Sequence, residues 1–179
     1  MIAMLRQRLS TANKEQPLST KQLQGILDDL QYRWGEFTIE GFISWVAQLK
    51  GRSVDTLSFT ASPNLFGAWV GTSAAEYFCY AEDVAGLSKT FVLAHEVSHW
   101  ILLHATKRLT PQDLDRLLRG ENIEVDDLQV VQQRSALGKK GWEDLEAERV
   151  AAMIVARAVM NQPPTIVDHT LKEYLNEWR

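Results

Sequence analysis

Two histidines and a glutamate lie within five residues, in the order His95-Glu96-Val97-Ser98-His99. On a helix the two histidines lie one turn apart on the same face, where both rings can bind one metal ion. Glu96 then lies beside that face, where it can act as a general base on a water molecule. The residues and their spacing predict a zinc site. The alternative, a pair of buried and hydrogen-bonded histidines, is weaker because apolar residues frame the motif and a third ligand is available.

A catalytic zinc needs a third protein ligand and one open position. His104 is a poor candidate because, on a continuous helix, it lies about 180° around the axis from His95. We expect it to close the helix or to contact nearby backbone. His169 follows a Pro-Pro break, and no neighbouring residue indicates that it is a zinc ligand.

Glu148 is a better candidate, because it lies on the strongest helical pattern in the chain and within an apolar stripe. The stripe residues fall within about 60° of it on a helix: Ala151, Ala152, Val155 and Val159. A buried carboxylate needs a cation or a proton, and zinc on the other helix would supply the cation. An ion pair with a buried arginine is the alternative. Asp144, one turn earlier, could be the ligand instead or support it, whereas Glu146 points about 160° away and is expected to be solvated.

The elements that position these residues follow from the hydrophobic spacing and from capping residues. Helices are predicted over residues 1–12, 18–33, 39–49, 90–104 and 142–160, and strands over 56–60, 67–71 and 76–80. The strands are short, so a small antiparallel sheet is expected. We predict an α+β fold in one domain, with a helical extension over 1–38. A polar insertion over 105–141 is expected to hold a helix at 111–119 and a mobile stretch that ends at Gly141.

The composition excludes several classes of protein. The chain has 179 residues with 19 basic and 23 acidic side chains, so its formal charge of −4 gives no footprint for direct nucleic-acid binding. Cys79 is the single cysteine, which rules out an internal disulfide and a cysteine-based zinc cluster and favours a reducing cytoplasm. No secretory leader or membrane-spanning run is evident.

Two segments resemble a known family. Phe91-Val-Leu-Ala-His-Glu-Val-Ser-His-Trp-Ile-Leu-Leu-His104 is similar to the signature helix of the ImmA/IrrE metallopeptidases, which reads like "LAHELGHLLLH". The run from Glu148 to Met160 resembles the second motif of that family, a glutamate followed by alanine at +3 and an apolar stretch. The similarity covers roughly residues 39–160, and the two helices carry its specific part. Ser98, Ala152 and Asn161 depart from the residues that are usual in the family, as does the 48-residue spacing between His99 and Glu148.

The resemblance implies a small zincin-like fold in which His95, His99 and Glu148 bind zinc and Glu96 is the catalytic base. It also implies a zinc-dependent endopeptidase that cleaves a partner helix-turn-helix (XRE-type) repressor, often encoded nearby on a mobile element or in a stress-response locus. A toxin or immunity role is a further possibility that no residue decides.

Two other functions remain open from the sequence. The chain could be a zinc-containing regulator that binds and sequesters a repressor without cutting it, or a hydrolase of small amides or peptides. Tyr77 and Tyr80 on the last predicted strand are candidate substrate-binding residues, although a lone tyrosine is more often a packing residue. The same strand could bind an extended substrate by strand addition.

Overall fold

The computed structural model describes residues 17–60, 65–104, 111–119, 121 and 141–161. Within these residues the chain is α+β, with five α-helices and a three-stranded sheet. In chain order the elements are α1 (Thr20–Asp29), a 3₁₀ turn (Trp34–Glu36), α2 (Ile39–Lys50), β1 (Ser53–Phe59), β2 (Gly67–Gly71), β3 (Ala75–Ala81), α3 (Gly86–Leu102), α4 (Pro111–Leu118) and α5 (Trp142–Asn161). The predicted helix at 1–12, the stretch before Gly141, most of the predicted insertion and His169 lie outside the described residues.

Local capping signals set the ends of the first two helices. The Ser19 side chain accepts a hydrogen bond from Gln22 N and the Gln22 side chain accepts one from Ser19 N, which forms a capping box before α1. Helix α2 begins after Thr38 and ends at Gly51, whose φ of 62° lies in the left-handed region that glycine adopts readily. Both helices match the expectation from sequence, although α1 ends four residues earlier than predicted.

The sheet has the strand order β1-β3-β2 and is mixed. β2 pairs with β3 in antiparallel fashion, whereas β1 pairs with β3 in parallel. The expected antiparallel sheet was therefore wrong. The reason is topological: β2 does not pair with β1, and β3 lies between the two earlier strands. Strand order depends on contacts between distant segments, and the sequences of the three strands do not indicate it.

Helices cover both faces of the sheet. On one face Trp69 and Phe78 pack with Trp100 of α3, and this core extends to α1, α2 and α5. On the other face Cys79 and its neighbours pack with Leu114 of α4 in a smaller apolar cluster. No helix within the described residues is both long and apolar enough to cross a membrane.

Helices α3 and α5 pack directly against each other and bring the candidate site residues together. The contact uses small side chains: Ala94 on α3 and Ala151 on α5 are fully buried in the shared core. Small residues allow the two helix axes to approach closely. A close approach is required if side chains from both helices are to bind the same ion. Ala152, which was expected on the same apolar stripe, is exposed.

Helix α3 ends in a turn that reverses the chain at Leu103. Leu103 has a φ of 58° and is the left-handed cap residue, although it is not a glycine. His104 N donates to His99 O over 3.1 Å, the long-range bond of a Schellman motif. This turn brings His104 back over the last turn of α3 instead of continuing the helix.

Substitutions at Leu103 should follow the cost of this left-handed conformation. A non-glycine residue there costs about 1 kcal/mol, and a β-branched side chain costs more. Leu103 is half-exposed, so little burial is lost when its side chain is removed. We expect Leu103→Val to lower the free energy of unfolding by about 1 kcal/mol and Leu103→Gly to maintain or raise it. Urea unfolding measures both, and equal stability of all three proteins would contradict the turn.

Candidate metal centre

His95 and His99 lie one turn apart on α3, as the motif predicts. Their Nε2 atoms are 3.2 Å apart and the two rings meet edge to face. His99 is buried at 9% exposure, and His95 is half-buried. Ser98 between them is fully buried and donates its hydroxyl proton to Ala94 O over 2.6 Å. Its side chain therefore hydrogen-bonds to the backbone of its own helix.

The spacing of the two Nε2 atoms fits a shared zinc ion. Zinc binds histidine nitrogen at about 2.0–2.1 Å, so two nitrogens of one tetrahedral site lie about 3.3–3.4 Å apart. The observed 3.2 Å is close to that value. The pair therefore has the donor atoms and the spacing that two zinc ligands need.

Two carboxylates of α5 are candidates for the third ligand. Asp144 Oδ1 lies 4.0 Å from His99 Nε2, and its side chain is partly exposed. Glu148 lies one turn further along the same face of α5 and is half-buried, so it is less enclosed than the sequence pattern suggested. Among the described residues no three ligand side chains already surround a common point. Asp144 would have to close by roughly half an ångström to reach the tetrahedral spacing.

Glu96 is buried beside the pair, at 6% exposure, where β2 crosses α3. The close approach depends on Gly67, because a Cβ atom at that position would lie 2.4 Å from Val92 Cγ1 and 3.2 Å from Glu96 Oε1. Gly67 is thus required by space and places the edge strand directly against the glutamate that the motif assigns as a base.

The structure corrects the expectation for His104. Because the chain reverses at Leu103, His104 does not point away from the pair but lies buried against it. Its Nδ1 is 2.9 Å from His99 Nδ1, and its Nε2 is 3.2 Å from Glu146 Oε2. The helix ends at Leu102, so the offset of about 180° expected of His104 on a continuous helix does not apply.

The expectation for Glu146 was also wrong. Its side chain is not solvated but buried at 1% exposure. One carboxylate oxygen accepts a hydrogen bond from the backbone N–H of Leu18, and the other faces His104. The segment before α1 covers this side of α5, so α5 has protein on a face that its polar pattern assigned to water.

The two tyrosines of β3 lie on opposite faces of the sheet. Tyr77 packs with the cluster on the α4 side, away from the histidine pair, so its proposed substrate contact is not supported. Tyr80 pairs across the sheet with Gly67 and lies under the Lys89 ammonium, 4.4 Å from the ring centre. Cys79 is not a nucleophile here, because burial and the nearby Glu96 carboxylate raise the pKa of its thiol to about 12.

Comparison of the chain with models of known protein families gave no match, and comparison with curated protein sequences gave none either.

Replacing Gly67 should show how tightly the edge strand is held against α3. Gly67→Ala is expected to lower the free energy of unfolding by about 1–3 kcal/mol, because the added methyl group meets Val92. Val92→Ala removes the closest atom and should recover part of the loss in the double variant, which a double-mutant cycle measures. Gly35→Ala is the control, since nothing lies within 4 Å of its Cβ position. A Gly67→Ala protein as stable as this control would contradict the close approach.

Proposed function

We propose that the chain is a zinc-dependent endopeptidase with a zincin-like fold. The observation that carries the proposal is the pair of Nε2 atoms of His95 and His99, 3.2 Å apart, with the buried Glu96 beside them. His95, His99 and one carboxylate of α5 would hold the ion. The sequence favours Glu148 as that carboxylate, and the 4.0 Å contact with His99 supports Asp144.

The chemistry divides between the ion and the protein. A zinc ion held there would lower the pKa of a water molecule and polarise a carbonyl group. Glu96 accepts a proton from the attacking water and then delivers it to the leaving amine nitrogen, so that one C–N bond is broken and one C–O bond is formed. Its buried position beside β2 keeps the Glu96 carboxylate close to a substrate peptide that binds along β2.

Strand β2 supports a substrate that is an extended peptide. β2 lies at the edge of the sheet, and its Gly67 contacts Glu96. A peptide that adds to this edge would use backbone hydrogen bonds for affinity and would pass beside the base. The sequence suggested β3 for this role, but β3 lies between the two other strands. A folded protein with an exposed loop could supply such a segment, and the family resemblance suggests a helix-turn-helix repressor.

Substitution of the base tests the enzymatic part of the proposal. Glu96→Gln is expected to lower the rate at which a proteome-derived peptide library is cleaved by at least about 100-fold, because a positioned general base contributes that much. The variant should still bind zinc. New peptide termini counted by mass spectrometry give the rate, and Glu82→Gln, an exposed carboxylate, is the control. If the wild type binds zinc and partner but neither protein cuts, the chain is a sequestering regulator.

Metal content separates the two candidates for the third ligand. We expect about one zinc per chain in the wild type and a large loss in His99→Ala. Of the variants Asp144→Ala and Glu148→Ala, the one that removes the true ligand should lose zinc, and the other should keep most of it. Elemental analysis after dialysis against a weak chelator measures this. A wild type that takes up no zinc would overturn the proposed function.

A further inference from the structure

Four side chains form a continuous line of polar contacts from the metal pair into the core. It runs from His95 Nε2 to His99 Nε2 (3.2 Å), from His99 Nδ1 to His104 Nδ1 (2.9 Å) and from His104 Nε2 to Glu146 Oε2 (3.2 Å). The other oxygen of Glu146 accepts the Leu18 backbone N–H. We propose that His104 and Glu146 are positioning residues that fix the ring of His99 with its Nε2 lone pair toward the metal.

The direction of the hydrogen bonds follows from what each group can donate. A carboxylate can only accept, so a hydrogen bond between Glu146 and His104 Nε2 requires His104 to donate from that atom. A His104 ring whose single proton lies on Nε2 presents a lone pair at Nδ1, which can accept only if His99 donates from its own Nδ1. His99 is thereby left with its lone pair on Nε2, the atom that faces His95. The carboxylate thus selects, through one intervening ring, the tautomer that can bind a metal.

Stability alone gives a poor account of this arrangement. His104 and Glu146 are 7% and 1% exposed, and burying such a pair costs desolvation that the contact recovers only in part. Two apolar side chains of similar size could fill the same space at equal or greater stability. A group that hydrogen-bonds the second nitrogen of a metal-binding histidine, in contrast, orients the ring and raises its basicity.

The inference rests on the proposed zinc site, and its first test is zinc affinity. His104→Phe keeps a ring but removes both hydrogen-bonding atoms, and it is expected to weaken zinc binding 10- to 100-fold. His104→Gln can accept from His99 through its oxygen and donate to Glu146 through its nitrogen, so it should remain within a few-fold of the wild type. Competition with a chromophoric chelator measures both proteins.

Glu76→Gln is the control for disruption of a buried polar contact elsewhere in the fold. Glu76 accepts hydrogen bonds from Arg52 and Trp69 at a distance from the histidines, so its loss should lower stability and leave zinc affinity unchanged. Equal zinc affinity in His104→Phe and the wild type would overturn the inference. So would an affinity in His104→Gln as low as in His104→Phe, because the effect would then come from shape and not from hydrogen bonding.

A second measurement needs no metal and separates this inference from the proposed function. Long-range ¹H–¹⁵N spectra of the zinc-free protein distinguish the two tautomers of each histidine. We expect the proton of His99 on Nδ1 and that of His104 on Nε2, and we expect a mixture at His99 in His104→Phe. A His99 proton on Nε2 in the wild type would overturn the proposed role of His104 and Glu146 even if zinc binds. Absence of zinc binding with the expected tautomers would overturn the proposed function and the role of the two residues toward a metal, and would leave only the tautomer selection standing.

Discussion

The buried carboxylate of Glu146 is the constraint on which this end of the molecule depends. A carboxyl group at 1% exposure must be met by hydrogen-bonding partners, because its desolvation is otherwise uncompensated. One partner is the backbone N–H of Leu18 and the other is the ring of His104, which reaches Glu146 through the reversal at Leu103. The segment before α1, the end of α3 and the first turns of α5 therefore meet around one side chain.

The opposite side of the site depends on packing instead of charge. Strand β2 lies against α3 because Gly67 has no side chain, and the turn after it is held by a polar network. Glu76 accepts from Trp69 Nε1 at 2.9 Å and from Arg52 Nε at 3.1 Å, and Arg52 also donates to Thr72 O. The β2–β3 hairpin is thus fixed at both ends. Glu96 lies close to Gly67 at the start of β2, so its position is set by the sheet as well as by its own helix.

Features that depend on local sequence could be predicted, and those that depend on distant segments could not. Strand β2 and helix α2 with its terminal Gly51 were predicted because spacing and a glycine cap are local signals. Placement of the His95–His99 pair on one helix face followed from helical geometry. The parallel pairing of β1 and the burial of Glu146 required knowledge of which segments meet. The left-handed residue at Leu103 carries no signal, because leucine rarely adopts that conformation.

Hydrogen bonds between α5 and Leu18 connect the start of the described chain to the helix that contacts the histidines. Arg149 Nη1 donates to Leu18 O over 3.0 Å while Glu146 accepts the N–H of the same residue. Local opening of this segment would leave the carboxylate short of one donor inside the core, so its free energy of opening includes that desolvation cost. If Glu146 and His104 fix the ring of His99, then by reciprocity whatever fixes that ring also stabilises the closed segment. The amide of Leu18, far from the histidines in sequence, thereby becomes a reporter of their state through its exchange with solvent.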